Sequence, residues 1–170
     1  MAPDTGETKV GIVCGSRSDF PVMAKAVETL TQLGLASELR AISAHRAPDL
    51  LERFVAGAEA RGIRVFIAAA GGAAHLPGVV ASRTILPVIG VPIATQLAGG
   101  LDSLLSIVQM PKGVPVATVS VGGAENAALL AAQMLALSDP ALRDRLQVYR
   151  DAQTRSIEDD EANAGLAGVR

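Results

Sequence analysis

The sequence predicts an α/β fold in which a central parallel β-sheet is covered by helices on both faces. Short apolar runs alternate with segments of helical periodicity along the chain, a pattern typical of βαβ units. The runs 9–14 and 63–70 are largely apolar without alternation, as expected for strands that are buried on both faces. A hydrophobic fraction of 49% in 170 residues is sufficient for one well-buried core.

The first three elements follow from apolar spacing. Residues 9–14 are predicted to form a buried strand, and residues 23–33 carry apolar side chains at helical intervals. Gly34 follows this helix as a stop. Residues 35–43 are predicted to form the second strand.

The next three elements are marked by proline and glycine. Residues 48–61 are predicted to form a helix, with Pro48 in its first turn and Gly62 at its end. Residues 63–70 follow as the third strand. Residues 75–84 are predicted to form a short helix.

The remaining elements continue the alternation. Residues 86–91 and 114–121 are predicted strands, separated by a helix over 101–108. Residues 125–137 are rich in Ala and Leu, which favours a helix. A last helix is predicted over 140–158, with charged residues spread around it.

We expect one domain with short extensions. Residues 9–158 are predicted to form a single α/β domain that carries the chemistry, since no linker, low-complexity segment or repeat interrupts them. Residues 1–8 are polar and contain Gly and Pro, and residues 159–170 are acidic and then rich in Gly and Ala. We predict a flexible N-terminus and a mobile C-terminal tail.

Composition excludes several functional classes. A net charge of −2 and 2% aromatic residues argue against a nucleic-acid partner. No apolar run reaches the roughly 18 residues that a membrane span needs, and the first residues do not resemble a signal peptide. We therefore expect a cytoplasmic protein without a membrane partner. The single cysteine, Cys14, excludes an internal disulfide and is interpreted as a small buried hydrophobe.

The two histidines are the most informative titratable residues. His45 follows the second predicted strand and His75 follows the third. Histidine exchanges protons near neutral pH, and ligands of α/β proteins bind at the carboxyl ends of strands. Their placement suggests proton-transfer chemistry.

The loop after the first strand is a candidate phosphate and ribose site. Ser16 and Ser18 can donate hydroxyl hydrogen bonds to phosphate oxygens beside a helix N-terminus, and Asp19 can accept them from ribose hydroxyls. The alternative is an ordinary helix cap formed by Ser18 or Asp19. Taken alone, the loop supports both interpretations equally.

The loop after the second strand combines a cation with a titratable ring. Arg46 can pair with a phosphate, Ser43 can add a hydroxyl, and His45 lies between them, within reach of a reacting ring. The alternative is a loop in which His45 binds backbone and Arg46 is solvated.

The loop after the third strand is rich in small residues. Its exposed amides can hold a carboxylate or CO2-like group; its members are Gly71, Gly72, Ala73, Ala74, His75 and Leu76. The alternative is a tight turn with close backbone packing. His75 is expected to orient or cap rather than to catalyse, because a helix N-terminus disfavours an imidazolium. Since the three loops follow successive strands, we expect them to converge on one edge of the sheet.

These segments together resemble the family of N5-carboxyaminoimidazole ribonucleotide mutases, the PurE enzymes of purine biosynthesis. The resemblance covers roughly residues 10–151, and the joint pattern is very specific although each segment alone is not. The matching segments are 15–19, 43–48, 70–78, 87–92, 101–111 and 126–131.

The resemblance implies a three-layer flavodoxin-like sandwich, a homo-octamer and a ribonucleotide substrate, with no metal and no organic cofactor. It implies that the carboxylate moves from N5 to C4 of an aminoimidazole, with His45 as the proton-transfer residue. It carries substrate binding over to Ser16, Asp19 and Arg46, with Ser18 and Ser43 beside them, and places the migrating carboxylate near residues 71–76.

One departure from the family pattern lies after the fifth strand. The family commonly has a longer, lysine-containing stretch where this chain has Gly122 and Gly123. A carboxylase that uses aminoimidazole ribonucleotide and free CO2 is therefore the nearest alternative. A non-catalytic nucleotide-binding module is a more distant one, and a flavin carrier is disfavoured by the scarcity of aromatic residues.

Overall fold

The structure, a computed structural model, describes residues 9–163. Five strands are present: β1 Val10–Cys14, β2 Ser37–Ala41, β3 Val65–Ala70, β4 Val88–Pro92 and β5 Ala117–Thr118. The α-helices are α1 Phe20–Gln32, α2 Pro48–Ala56, α3 Leu76–Ala81, α4 Leu101–Val108, α5 Ala124–Ala136 and α6 Pro140–Glu158. The predicted segment 1–8 and the last part of the predicted tail, 164–170, lie outside the described residues.

The strands form one parallel sheet in the order β2-β1-β3-β4-β5. β1 pairs with β2 on one side and with β3 on the other, with Val10 opposite both Ser37 and Val65. The predicted α/β fold with a central parallel sheet is therefore confirmed. The carboxyl ends of all five strands lie on one edge, as parallel pairing requires.

Side chains that alternate along each strand build two cores. The first core lies between one face of the sheet and the helices α1 and α5, and it includes Ile12, Ile67 and Met23. The second core lies between the other face and the helices α2, α3 and α4, and it includes Phe66 and Ile107. These helix layers on both faces complete the predicted three-layer sandwich.

Two glycines allow large side chains to approach the second face. A Cβ at Gly11 would lie 2.9 Å from the Phe66 ring. A Cβ at Gly90 of β4 would lie 2.5 Å from Cγ2 of Ile107. The absence of a side chain at Gly90 thus sets how closely α4 approaches the sheet.

Several element boundaries differ from the predictions. The strand predicted over 114–121 is reduced to Ala117–Thr118, because Val114 closes a turn onto the Pro111 carbonyl and Pro115 has no N–H to donate to a ladder. The helix predicted over 48–61 ends at Ala56 and is followed by a 3₁₀ turn over Glu59–Arg61.

Other differences are smaller. α1 begins at Phe20, with Pro21 in its first turn, which is earlier than the predicted start of 23. The Arg61 guanidinium donates to the Phe54 carbonyl at 2.7 Å and so stabilises the interrupted end of α2. The predicted helices 101–108 and 140–158 have the observed bounds. Within residues 9–163, no helix is both long and apolar enough to cross a bilayer.

Candidate active site

The loops that follow β1, β2, β3 and β4 enclose a cleft at the carboxyl edge of the sheet. β1 lies between β2 and β3, so the strand order reverses at β1. Open α/β sheets bind ligands at such a reversal. The cleft has a volume of about 400 Å³. Its lining residues are Gly15, Ser16, Asp19, Ser43, Ala44, His45, Arg46, Ala70, Gly71, Ala73, Ala74, His75, Leu76, Ile93 and Ala94.

The first loop begins at the end of β1 and turns into α1 through a 3₁₀ turn over Arg17–Asp19. The Ser16 hydroxyl accepts a hydrogen bond from the Ser18 N–H at 3.3 Å, which caps this turn. The Ser18 hydroxyl donates to Oδ1 of Asp19 at 3.3 Å. Ser16 and Asp19 line the cleft, whereas Ser18 is exposed beside it.

Cys14, the last residue of β1, binds this loop through its side chain. Its buried thiol donates to the Ser16 carbonyl at 3.2 Å. Burial, followed by the nearby Asp19 carboxylate, raises the pKa of the Cys14 thiol to about 11. Cys14 is therefore a neutral donor inside the core, in agreement with the expected small buried hydrophobe.

The second loop is tied to the first by Arg46. The Arg46 guanidinium donates to the Gly15 carbonyl at 3.2 Å, and the Arg46 N–H donates to the Ser43 hydroxyl at 3.3 Å. This cation therefore lies across the mouth of the first loop, beside Ser16. One of its five N–H donors is used by Gly15, which leaves others for an anion.

The two histidines meet in the cleft. Nε2 of His45 lies 2.9 Å from Nδ1 of His75, with the rings nearly perpendicular at 86°. At this distance one ring must donate and the other accept. The contact joins the β2 loop to the β3 loop across the end of β1. His75 is the residue before α3, and its side chain makes no capping hydrogen bond and contacts His45 instead.

The third loop is held in an unusual backbone conformation. Gly72 and Ala74 have φ values of +68° and +44°, which suit glycine but are uncommon for alanine. The Gly72 N–H donates to the Ser103 hydroxyl at 2.9 Å. Gly72 does not line the cleft. Its N–H, which we expected to contact a carboxylate, donates to Ser103 of α4 instead.

Ile93 and Ala94 complete the cleft and were not among the residues singled out in the sequence. They follow β4, whose carboxyl end lies on the same edge as the other three loops. The regular alternation of strands could have indicated them, but their side chains carry no reactive group. Among residues 9–163, no cluster of three or more His, Cys, Asp or Glu side chains is arranged to hold a metal ion.

Comparison with known proteins matches the sequence and the fold of this chain to one family. The family model described as AIR carboxylase matches residues 9–156. The N5-carboxyaminoimidazole ribonucleotide mutase of Mycobacterium tuberculosis is 54% identical over 89% of this chain and 87% of its own length. The enzyme of that name from Pyrococcus abyssi is also 54% identical, over 88% of this chain and 86% of its own length.

A solved structure extends the match to three dimensions. The crystal structure of Treponema denticola PurE superposes with a TM-score of 0.84 at 28% identity, and covers 94% of this chain and 99% of that chain. The flavodoxin-like sandwich implied by the sequence resemblance is thereby confirmed. The chain belongs to the AIR carboxylase family.

Proposed function

We propose that this protein is an N5-carboxyaminoimidazole ribonucleotide mutase, an isomerase of purine biosynthesis. The observation that carries the proposal is the position of His45, which lies in one cleft between the Ser16–Arg46 region and the loop over 71–76. Relatives with about half of their residues identical over most of this chain bear that name. The same cleft explains how such a reaction can run without a cofactor.

The polar end of the cleft suits the ribose 5′-phosphate. Arg46 offers charge-assisted hydrogen bonds to phosphate oxygens, and the Ser16 and Ser43 hydroxyls lie beside it. Ser18 lies at the rim of the same loop. The Asp19 carboxylate accepts hydrogen bonds, which suits a ribose hydroxyl and repels a phosphate. This division orients the nucleotide with its imidazole toward His45.

The reaction then needs two proton transfers, one to N5 and one from C4. The bond between N5 and the carboxylate carbon breaks, its electron pair remains on N5, and N5 takes a proton from His45. CO2 and aminoimidazole ribonucleotide are both held in the cleft. C4 attacks CO2 with a ring electron pair, and the C4 proton passes to His45, which restores the aromatic ring and the starting protonation state.

The contact between the two histidines fixes how their rings face each other. Two imidazolium rings would both place an N–H between Nε2 of His45 and Nδ1 of His75, only 2.9 Å apart, and would repel each other. The contact therefore requires one ring to donate and the other to accept. His75 is a positioning residue that fixes the ring orientation of His45, and Nδ1 of His45 remains available for proton transfer because Nε2 is engaged.

The small-residue end of the cleft suits the migrating carboxylate and CO2. Gly71, Ala73, Ala74, His75 and Leu76 line this end. Holding CO2 next to C4 replaces a bimolecular encounter with an intramolecular one, which is a large kinetic advantage. Closure of this end around the bound substrate would also exclude water, which hydrates free CO2.

The test of this function is a comparison of two substrate mixtures. Purified protein is given either N5-carboxyaminoimidazole ribonucleotide or aminoimidazole ribonucleotide with bicarbonate. We expect rapid formation of the C4-carboxylated product from the first mixture and little from the second. The reverse outcome would assign the protein to the carboxylase alternative, which the lysine-free turn at Gly122 and Gly123 keeps open.

We propose further that the chain assembles into a homo-octamer in the cytoplasm. The octamer is the assembly that the family resemblance implies. Leu101, Leu105 and Val108 are about half exposed on one side of α4, and Leu97 is 64% exposed just before it. Such an apolar surface is typical of an interface.

Light scattering tests the octamer and should give the mass of eight 17.4 kDa chains. Leu105→Glu should reduce this mass, whereas Lys112→Glu should not. A monomeric wild type would refute the octamer.

A further inference from the structure

Ser103 lies in the matching segment 101–111 but does not line the cleft, and no role was assigned to it from the sequence. It lies in the first turn of α4 and is fully buried, with 0% of its surface exposed. Its hydroxyl accepts the Gly72 N–H at 2.9 Å and donates to the Ile93 carbonyl at 2.7 Å. One hydroxyl therefore joins the loop after β3 to the loop after β4.

Neighbouring side chains of α4 strengthen this connection. The Ser106 hydroxyl donates to the Gly72 carbonyl at 3.3 Å, so α4 binds both the N–H and the carbonyl of one glycine. The Thr95 hydroxyl donates to Oδ1 of Asp102 at 2.6 Å. This hydrogen bond is the largest cause of the lowered pKa of Asp102, and it ties the β4 loop to the same helix.

The two joined loops form the wall at the small-residue end of the cleft. Gly71 and Ala73 come from the first loop, and Ile93 and Ala94 come from the second. A Cβ at Gly71 would lie 3.4 Å from Cβ of Ile93, so the loops are already in close contact. Three of these four residues have small side chains or none, so the closure of the wall depends mainly on the position of the backbone.

We propose that Ser103 is a positioning residue that keeps this wall closed while CO2 is free in the cleft. The inference rests on the proposed function and deepens it. CO2 is small and uncharged, so no ion pair can retain it, and retention depends on the absence of a gap in the wall. Without the Ser103 hydroxyl, the Gly72 N–H and the Ile93 carbonyl lose a shared partner in a buried position and must move to find water.

The test follows the carbon atom that migrates. N5-carboxyaminoimidazole ribonucleotide labelled with ¹³C in its carboxylate is turned over in unlabelled bicarbonate, and the label in the C4-carboxylated product is measured. We expect the wild type to retain the label. Ser103→Ala should lose most of it, release aminoimidazole ribonucleotide, and show a kcat about tenfold lower with KM within about twofold, as expected for loss of one buried hydrogen-bond partner.

Matched variants separate this role from general destabilisation. Thr29→Ala removes another buried hydroxyl, which donates to the Lys25 carbonyl within α1 on the opposite face of the sheet, and should retain the label. Ser103→Thr keeps a hydroxyl and should restore retention at least in part. Ser106→Ala alters an exposed position and should leak less than Ser103→Ala, which provides a readout if the buried substitution fails to fold.

Two outcomes would overturn the proposal: full label retention in both serine-to-alanine variants, or an equal leak in Thr29→Ala. If the wild type itself does not convert the substrate, the proposed function fails separately. Amide hydrogen exchange of the peptide over 70–76 then decides the positioning role. It should be faster in Ser103→Ala than in the wild type and in Thr29→Ala, and equal rates would refute the role of Ser103.

Discussion

Gly90 links the packing of the sheet to the geometry of the cleft, and Gly90→Ala is the perturbation that tests this link. The new Cβ would lie 2.5 Å from Cγ2 of Ile107 and 2.9 Å from Cγ1 of Val116. Carbon atoms in contact are normally about 3.5–4.0 Å apart. Ile107 must therefore retreat by about 1 Å, and α4 must move with it.

The expected cost has two parts. Overpacking of this kind lowers the free energy of unfolding by about 1–3 kcal/mol. Ser103 lies one helical turn before Ile107 on the same buried side of α4, so a shift of about 1 Å stretches its 2.9 Å hydrogen bond to Gly72 beyond the usual limit for such bonds. We expect kcat to fall together with stability.

Urea unfolding and steady-state kinetics measure these effects on the same protein. Gly78→Ala is the matched control, because Gly78 lies inside α3 and the atom nearest to its new Cβ would be Sδ of Met110, at the flexible end of that side chain. A double-mutant cycle of Gly90→Ala with Ile107→Ala should show that the two changes cost less together than separately. Additivity within about 0.5 kcal/mol, or a Gly90→Ala protein as stable as the wild type, would refute the reasoning.

Three further predictions concern the cleft. Arg46→Ala should weaken binding of the phosphate-bearing ligand by about tenfold or more, since charge-assisted hydrogen bonds contribute about 1.5–3 kcal/mol; unchanged affinity in calorimetry would remove Arg46 from the site. His75→Asn should lower kcat less than His45→Asn does, and an equal loss would mean that the two histidines have equal roles. Iodoacetamide should modify Cys14 slowly in the native protein at pH 8 and faster as the pH approaches about 11. Burial raises the pKa of the Cys14 thiol in the folded state above its unfolded value of 9.0. The neutral thiol therefore contributes fully to the free energy of unfolding below pH 9.0, and this contribution is lost as the pH rises to about 11. Rapid native modification at pH 8 would contradict the buried neutral thiol.

The sheet was predictable because its strands have a clear physical signature. β1 and β3 are buried on both faces at every position, and this is why their sequences are apolar without alternation. The strand predicted over 114–121 was too long because its apolar residues indicate burial, whereas Pro115 and the turn at Val114 interrupt backbone pairing at the edge of the sheet. Apolar composition predicts burial more reliably than it predicts backbone pairing.

The candidate site was predictable as far as its loops, but not in its contacts. Residues of three successive strand ends were expected to converge, and the cleft is lined by most of them. The contact between His45 and His75 depends on the order of strands, which puts β1 between β2 and β3. Spacing along the chain does not contain this order.

The role of α4 was also hidden in the sequence. Ser103 is 31 residues from Gly72, and it lies in a helix whose pattern indicates only apolar packing. The direction of a single backbone N–H decides that Gly72 contacts this serine and not the cleft. Such a direction becomes visible only when the positive φ of Gly72 is known.

Turnover of N5-carboxyaminoimidazole ribonucleotide by His45→Asn tests the central claim most directly. Asparagine preserves a polar side chain in the cleft but cannot exchange a proton near neutral pH, so ligand binding should remain while kcat falls by at least about a hundredfold, as expected for loss of general acid–base catalysis. Binding measured by calorimetry with the C4-carboxylated product provides the control. Turnover near the wild-type rate would contradict the assignment of proton transfer to His45.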